Sequence, residues 1–110
     1  MSEILDRAVL DDLIEHIGAE ATHAVIELFI GECRELTAAM AAPGATCEAA
    51  RRAAHSLKSS AGQLGAAALA EAALAVEDAA EIGAAELPAR IATLADCAVR
   101  TETVLAEVLR

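Results

Sequence analysis

The sequence predicts an all-α fold: an antiparallel four-helix bundle with a short N-terminal helix capping one end. Three observations predict it. Ala, Leu and Glu dominate and β-branched runs are missing, which favours helix over strand. Gly and Pro punctuate the chain at only a few places. Between those marks apolar residues recur by threes and fours, the spacing of one helix face.

The leading segment, Ile4 to Ile17, is closed by Gly18 and is expected to form the short capping helix. The first long run covers 20–41, with Val25, Phe29, Leu36 and Met40 on one face, and "APGA" (Ala42 to Ala45) ends it. A second run covers 46–61, followed by "GQLG" (Gly62 to Gly65), read as a tight corner. Its Ala50, Ala53 and Leu57, with the following Leu64, fall on one side of a helical wheel. The third run, 66–82, carries Leu69, Ala73, Val76 and Ala80 on one face and ends at Gly83. The fourth, 86–109, has Pro88 in its first turn, where proline is tolerated. There Leu87, Ile91, Leu94, Ala98, Thr101, Leu105 and Val108 form the most regular seam. Short connectors make successive helices antiparallel neighbours. A length of 110 residues, without repeat or low-complexity linker, fits a single domain over 1–110.

Composition narrows the function. The net charge of −10 disfavours polyanionic partners. One Phe and no Trp or Tyr leave nothing on which single-stranded bases could stack, so no nucleic-acid partner is expected. No stretch approaches the roughly 18 uncharged apolar residues of a membrane span. Cys33, Cys47 and Cys97 are widely spaced and form no metal-binding pair, which reads as reduced thiols in a cytoplasmic protein. The start lacks a signal-peptide pattern, and Met1 with the single-domain length favours a free-standing chain.

The chemistry gathers on the second long run. His55 falls opposite the Ala50, Ala53 and Leu57 face and so points away from the core. Arg51 and Arg52 lie one turn before it, with Lys58, Ser59 and Gly62 after it. No Asp or Glu occurs between Glu48 and Glu71, so an acidic chain carries one local basic patch centred on a histidine. A neutral imidazole keeps a lone pair for nucleophilic attack, and nearby cations attract a phosphoryl group. Small side chains at Ser59 and Gly62 allow a bulky surface to come close. A His–Lys pair on one helix is also a common feature of ordinary solvated surface. Glu77 sits about 40° from Ala73, on the packing face of its own helix, an odd place for a carboxylate. It either reaches water from the boundary or meets another group.

With these residues in view, "HSLKSSAGQLGAAALAEAALAVE" resembles the histidine-containing phosphotransfer (HPt) domains of two-component phosphorelays. His55, Leu57, Lys58, Leu64, Gly65, Leu69, Val76 and Glu77 stand in register with the family pattern, and "LFIGECREL" is similar to the preceding helix. The family usually places Gly directly after the lysine, where this chain has Ser59. The resemblance implies that His55 accepts a phosphoryl group from a receiver-domain aspartate and passes it to another. It also implies that Lys58 helps neutralise the phosphate, with Arg51 and Arg52 more distant, and that Glu77 orients the imidazole. The implied partners are response-regulator receiver domains, including that of a hybrid histidine kinase. The protein would be a relay intermediate without kinase or ATPase activity of its own. No cofactor is expected, because the partner supplies the Mg²⁺. For docking, Ser59, Gly62 and Gln63 would allow close approach, while Ile26 and Ile30 either form an apolar patch beside the site or pack under the leading helix.

Three rivals belong to other classes. "EATH" (Glu20 to His23) matches half of a di-iron ligand pattern, but no second copy exists. A dimeric histidine-kinase-type phosphoacceptor domain would show a different sequence after the histidine and would build its bundle from two chains, whereas this chain supplies four helices and is expected to be a monomer. A non-catalytic helical adaptor would keep the fold without the chemistry.

Overall fold

The computed structural model of the chain describes residues 3–110. Met1, on which the reading of a free-standing chain partly rested, lies outside them. Five helices follow in order: α1 (Arg7–Ile17), α2 (Ala19–Ala41), α3 (Cys47–Leu64), α4 (Ala67–Glu81) and α5 (Leu87–Val108). α2 packs on α3, α3 on α4 and α4 on α5, and α5 closes the ring against α2. α1 lies across α2 and α3. The described part of the chain is therefore an all-α bundle of four long helices with a capping helix, closed by one chain.

Local chemistry sets the boundaries. Asp6 caps α1 by accepting from the Ala8 N–H at 3.1 Å. Thr46 caps α3 by accepting from the Ala49 N–H at 3.0 Å. Pro43 holds Ala42 in extended backbone and stops α2. The second helix runs three residues further than expected, because only Gly65 of the "GQLG" stretch leaves it. Gly65 adopts φ 79°, its N–H donates to the Gly62 carbonyl at 3.3 Å, and the Ala66 N–H donates to the Ala61 carbonyl at 2.9 Å. This pair of bonds is a Schellman ending, which needs one left-handed residue. Gly62 is thereby an ordinary helical position.

The same corner docks the leading segment. The Asp6 N–H donates to the Gly65 carbonyl at 2.7 Å, and the Ala68 N–H donates to the Glu3 carbonyl at 2.9 Å. A Cβ on Gly65 would lie 2.6 Å from the Asp6 carbonyl oxygen, so a side chain there is blocked twice, by φ and by space.

α3 and α4 make the most extensive contact in the bundle. The residues these two helices bury are mostly small: Ala50, Ala53, Ala54 and Ala61 on α3 and Ala73 and Ala80 on α4, with Leu57, Leu64, Leu69 and Val76 in the same core. Alanine keeps the helix axes close. On α5, Leu94, Cys97, Ala98, Thr101 and Leu105 are buried. Thr101 is admitted because its hydroxyl donates to the Cys97 carbonyl at 2.8 Å. Burial, then the nearby Glu102 charge, pushes the Cys33 thiol up to about 11, so it behaves as an apolar core group.

α2 corrects one expectation. Its buried stripe is Thr22, Ile26, Phe29, Cys33 and Met40: of the face read from the sequence, Phe29 and Met40 are buried and Leu36 packs against the core, whereas Val25 stands exposed. Thr22 can be buried because its hydroxyl donates to the Gly18 carbonyl at 2.8 Å. Ile26 is 0 % exposed, and Ile30 is half-buried against the core. These two isoleucines therefore hold the bundle together and do not present a patch beside His55.

The two glycines of the α3 terminus should respond oppositely to alanine. Gly65→Ala is expected to cost roughly 1–3 kcal/mol, from the left-handed backbone and the contact with Asp6. Gly62→Ala, where an added Cβ meets nothing within 4 Å, is expected to gain up to about 1 kcal/mol of helix propensity. Urea denaturation of both variants checks this.

Candidate functional site

α3 turns its Ala53, Ala54 and Leu57 face inward, which leaves His55 on the outer surface, 62 % exposed at the side chain. Its ring is nevertheless fixed. Nδ1 lies 2.6 Å from Oε2 of Glu77 on α4. The other oxygen of that carboxylate, Oε1, accepts from Lys58 Nζ at 2.7 Å. One carboxylate thus ties together two residues that lie one turn apart on the neighbouring helix. Glu77 is only 12 % exposed, so it does not reach out to water from the boundary.

The protonation pattern follows from this geometry. The Lys58 hydrogen bond is the main cause holding the Glu77 carboxyl below its ordinary range, opposed by desolvation and aided by the His55 bond. Ionised at neutral pH, the carboxylate can only accept. Nδ1 must therefore be the donor, and in the neutral ring Nε2 is left with its lone pair. That nitrogen is the one not engaged by the carboxylate. The alanine-lined α3–α4 seam is what brings Glu77 this near.

The two arginines are placed differently from expectation. Glu48, at the edge of the acid-free stretch, engages both. Arg51 donates to it through Nε at 3.0 Å and Nη2 at 2.8 Å, and Arg52 through Nε at 3.2 Å. These bonds, with Arg51 first and Arg52 next, hold the Glu48 carboxyl down to about 2. Every cation in the stretch thus has an anionic partner: Lys58 has Glu77, and the arginines have Glu48. The local basic patch therefore consists of paired charges, its two arginines sharing one carboxylate. Glu48 marked the edge of that acid-free stretch, and its i+3 and i+4 spacing to the arginines was the available signal.

Ser59, Gly62 and Gln63 are exposed on α3. It is Ser60, not Ser59, whose hydroxyl is bonded, donating to Glu32 at 2.7 Å. The apolar side chains standing free near this part of the surface are Val25 and Leu28 of α2. Sequence reading missed Leu28, although its neighbours Glu27 and Gly31 already marked a solvent face. Glu20 is exposed and His23 half-buried, and no group of three or more His, Cys, Asp or Glu able to hold a metal occurs among the described residues. Among the described residues no helix is long and apolar enough to cross a membrane.

Comparison with known proteins accords with this geometry. The chain matches the Hpt domain family over residues 24–109. The crystal structure of histidine-containing phosphotransfer protein B (HptB) from Pseudomonas aeruginosa PAO1 superposes with a TM-score of 0.90, covering 97 % of this chain and 95 % of that one. Its sequence identity is 23 %, so this likeness speaks to the fold. No curated protein matches the sequence. The family match spans most of the chain, from early α2 to the end of α5: the protein belongs to the Hpt domain family, whose function is histidine phosphotransfer in phosphorelays.

Proposed function

We propose that His55 is the phosphoacceptor and relays a phosphoryl group between receiver-domain aspartates. The observation that carries this reading is the exposed imidazole bonded through Nδ1 to a half-buried, ionised carboxylate. In the step, the Nε2 lone pair attacks phosphorus in line with the acyl oxygen of an aspartyl phosphate. The N–P bond forms, and the P–O bond to the aspartate breaks with its electron pair returning to that carboxylate. No proton has to leave the ring. The positive charge that the imidazole gains spreads to Nδ1–H, where Glu77 stands 2.6 Å away. This is charge stabilisation in place before the reaction.

Lys58 serves the phosphoryl oxygens. Its ammonium has three donors and spends one on Glu77, leaving two for an incoming group. Arg51 and Arg52, tied to Glu48, contribute at longer range. A partner can approach closely over Ser59, Gly62 and Gln63. Gly62 has no packing partner that would clash with a larger side chain, so its smallness favours the partner and not the fold. The protein acts as a relay intermediate without kinase or ATPase activity of its own, as a cytoplasmic monomer. Its partners are receiver domains, a hybrid histidine kinase's among them, and they bring the divalent metal used in transfer.

Incubation with a radiolabelled phospho-receiver tests the reading. Wild-type protein should take up label that is lost in acid and survives alkali, and His55→Gln should take up none. Labelling of His55→Gln at the wild-type level would refute the assignment. Lys58→Ala should slow transfer by about tenfold or more, short of the 10²–10³ lost with a buried oxyanion donor.

Glu77 also makes stability depend on pH. Its lowered carboxyl stabilises the fold above the ordinary carboxyl range, and that contribution is lost as pH falls through the lowered value. Glu77→Gln should therefore be less stable than wild type at neutral pH, with the gap narrowing in acid. Denaturation midpoints across pH give the comparison, and a constant gap would contradict it.

A further inference from the structure

The chemistry at His55 leaves one neighbouring surface unused. Leu28 stands 75 % exposed on α2, as a ridge between two hollows. One, of about 190 Å³, lies between α2 and α3 and includes Val25, Leu28, Ser60 and Gln63 in its wall. The other, of about 560 Å³, is walled by Glu20, His23, Ala24, Glu27 and Leu28. The first hollow is continuous with the site. Gln63 follows His55 by eight residues, about 12 Å of helix rise, and Ser59 lies between them on the wheel. A partner seated over His55 with the usual footprint of about 800 Å², roughly 30 Å across, extends onto this hollow.

Charge says what fits there. The cations near His55 are already paired, with Glu77 and with Glu48. Glu20 and Glu27 form no ion pair among the described residues. Glu32, on the wall of the first hollow, is held only by the neutral Ser60 hydroxyl. The face thus combines an apolar ridge with uncompensated negative charge. A second copy of this chain would bring the same charge and be repelled.

Resting on the phosphotransfer reading, we propose that this face selects the receiver domain, by accepting from it an apolar side chain flanked by Lys or Arg. The apolar group lodges beside Leu28 in the hollow against α3, and the cation meets Glu20 and Glu27 on the far side of the ridge. Such pairing accelerates encounter and repels acidic competitors.

The probe is the receiver domain, among those of the same organism, that transfers fastest to this protein once charged with acetyl phosphate. Leu28→Ala should raise KM about tenfold, and by more than it lowers the saturating rate, as expected when an apolar anchor remote from the reacting group is cut back. The double variant Glu20→Lys, Glu27→Lys should raise KM and flatten the dependence of transfer on salt. Val99→Ala, an exposed apolar change on α5, should alter neither. All four positions are solvent-facing, and circular dichroism checks that the variants stay folded. Amide shifts of ¹⁵N-labelled protein on adding the uncharged receiver should centre on 25–28 and 59–63, a readout that needs no transfer. If His55 is labelled while Leu28→Ala and the double variant keep wild-type KM, or if the shifts centre elsewhere, this face is the wrong one and the relay reading stands. If no receiver labels His55, both fall.

Discussion

One carboxylate holds the site together. Glu77 accepts from an imidazole with one oxygen and from an ammonium with the other, on a surface where neither partner is fully buried. Exposed ion pairs contribute little to stability as a rule. The importance of this one lies in what it decides. It selects which ring nitrogen carries the proton, fixes the plane of an otherwise mobile side chain, and holds a lysine on the same carboxylate as the ring. A water-exposed histidine would ordinarily sample several rotamers and both tautomers.

That carboxylate depends in turn on the helix seam beneath it. Alanines at 50, 53, 54 and 61 of α3 are buried in one core with Ala73 and Ala80 of α4, and the extensive contact of the two helices carries the Glu77 side chain to His55. Alanine is also the best helix former, so the same residues that bring the helices together keep them straight and regular. Larger side chains on this seam would strain the packing, and they would lengthen the distance on which the tautomer rests. Composition, usually read only as a measure of core size, here governs the geometry of a reactive group. The site itself stands on the outer face of α3, which suits a group that must enter another protein's active centre.

Much of this was legible in the sequence, and the exceptions are instructive. The α3, α4 and α5 faces were readable because their apolar positions compete with nothing: Leu57, Leu69, Val76, Leu94 and Leu105 are all buried. The outward direction of His55 followed from that periodicity. On α2, Phe29 and Met40 are buried as their spacing implies, but Ile26 takes the buried place expected of its neighbour Val25. Thr22, one turn earlier, joins the same buried stripe by bonding back to Gly18. Such local satisfaction of a polar group is invisible to a hydrophobic pattern. The end of α3 was misplaced because two glycines three residues apart look alike, and only the bonds of the terminus distinguish Gly65 from Gly62. The basic patch was overstated because charge was read along a stretch that Glu48 borders, without its reach along the helix to Arg51 and Arg52. The place of Glu77 on its packing face was visible, but the nature of its partners was not.

The account stands or falls on the proton of the His55 ring. Long-range ¹H–¹⁵N NMR of the wild-type protein at neutral pH reports directly which nitrogen bears it. The account predicts a single dominant neutral tautomer with the proton on Nδ1, and loss of that dominance when residue 77 carries an apolar side chain. A ring protonated on Nε2, or one exchanging evenly between tautomers with Glu77 intact, would contradict it.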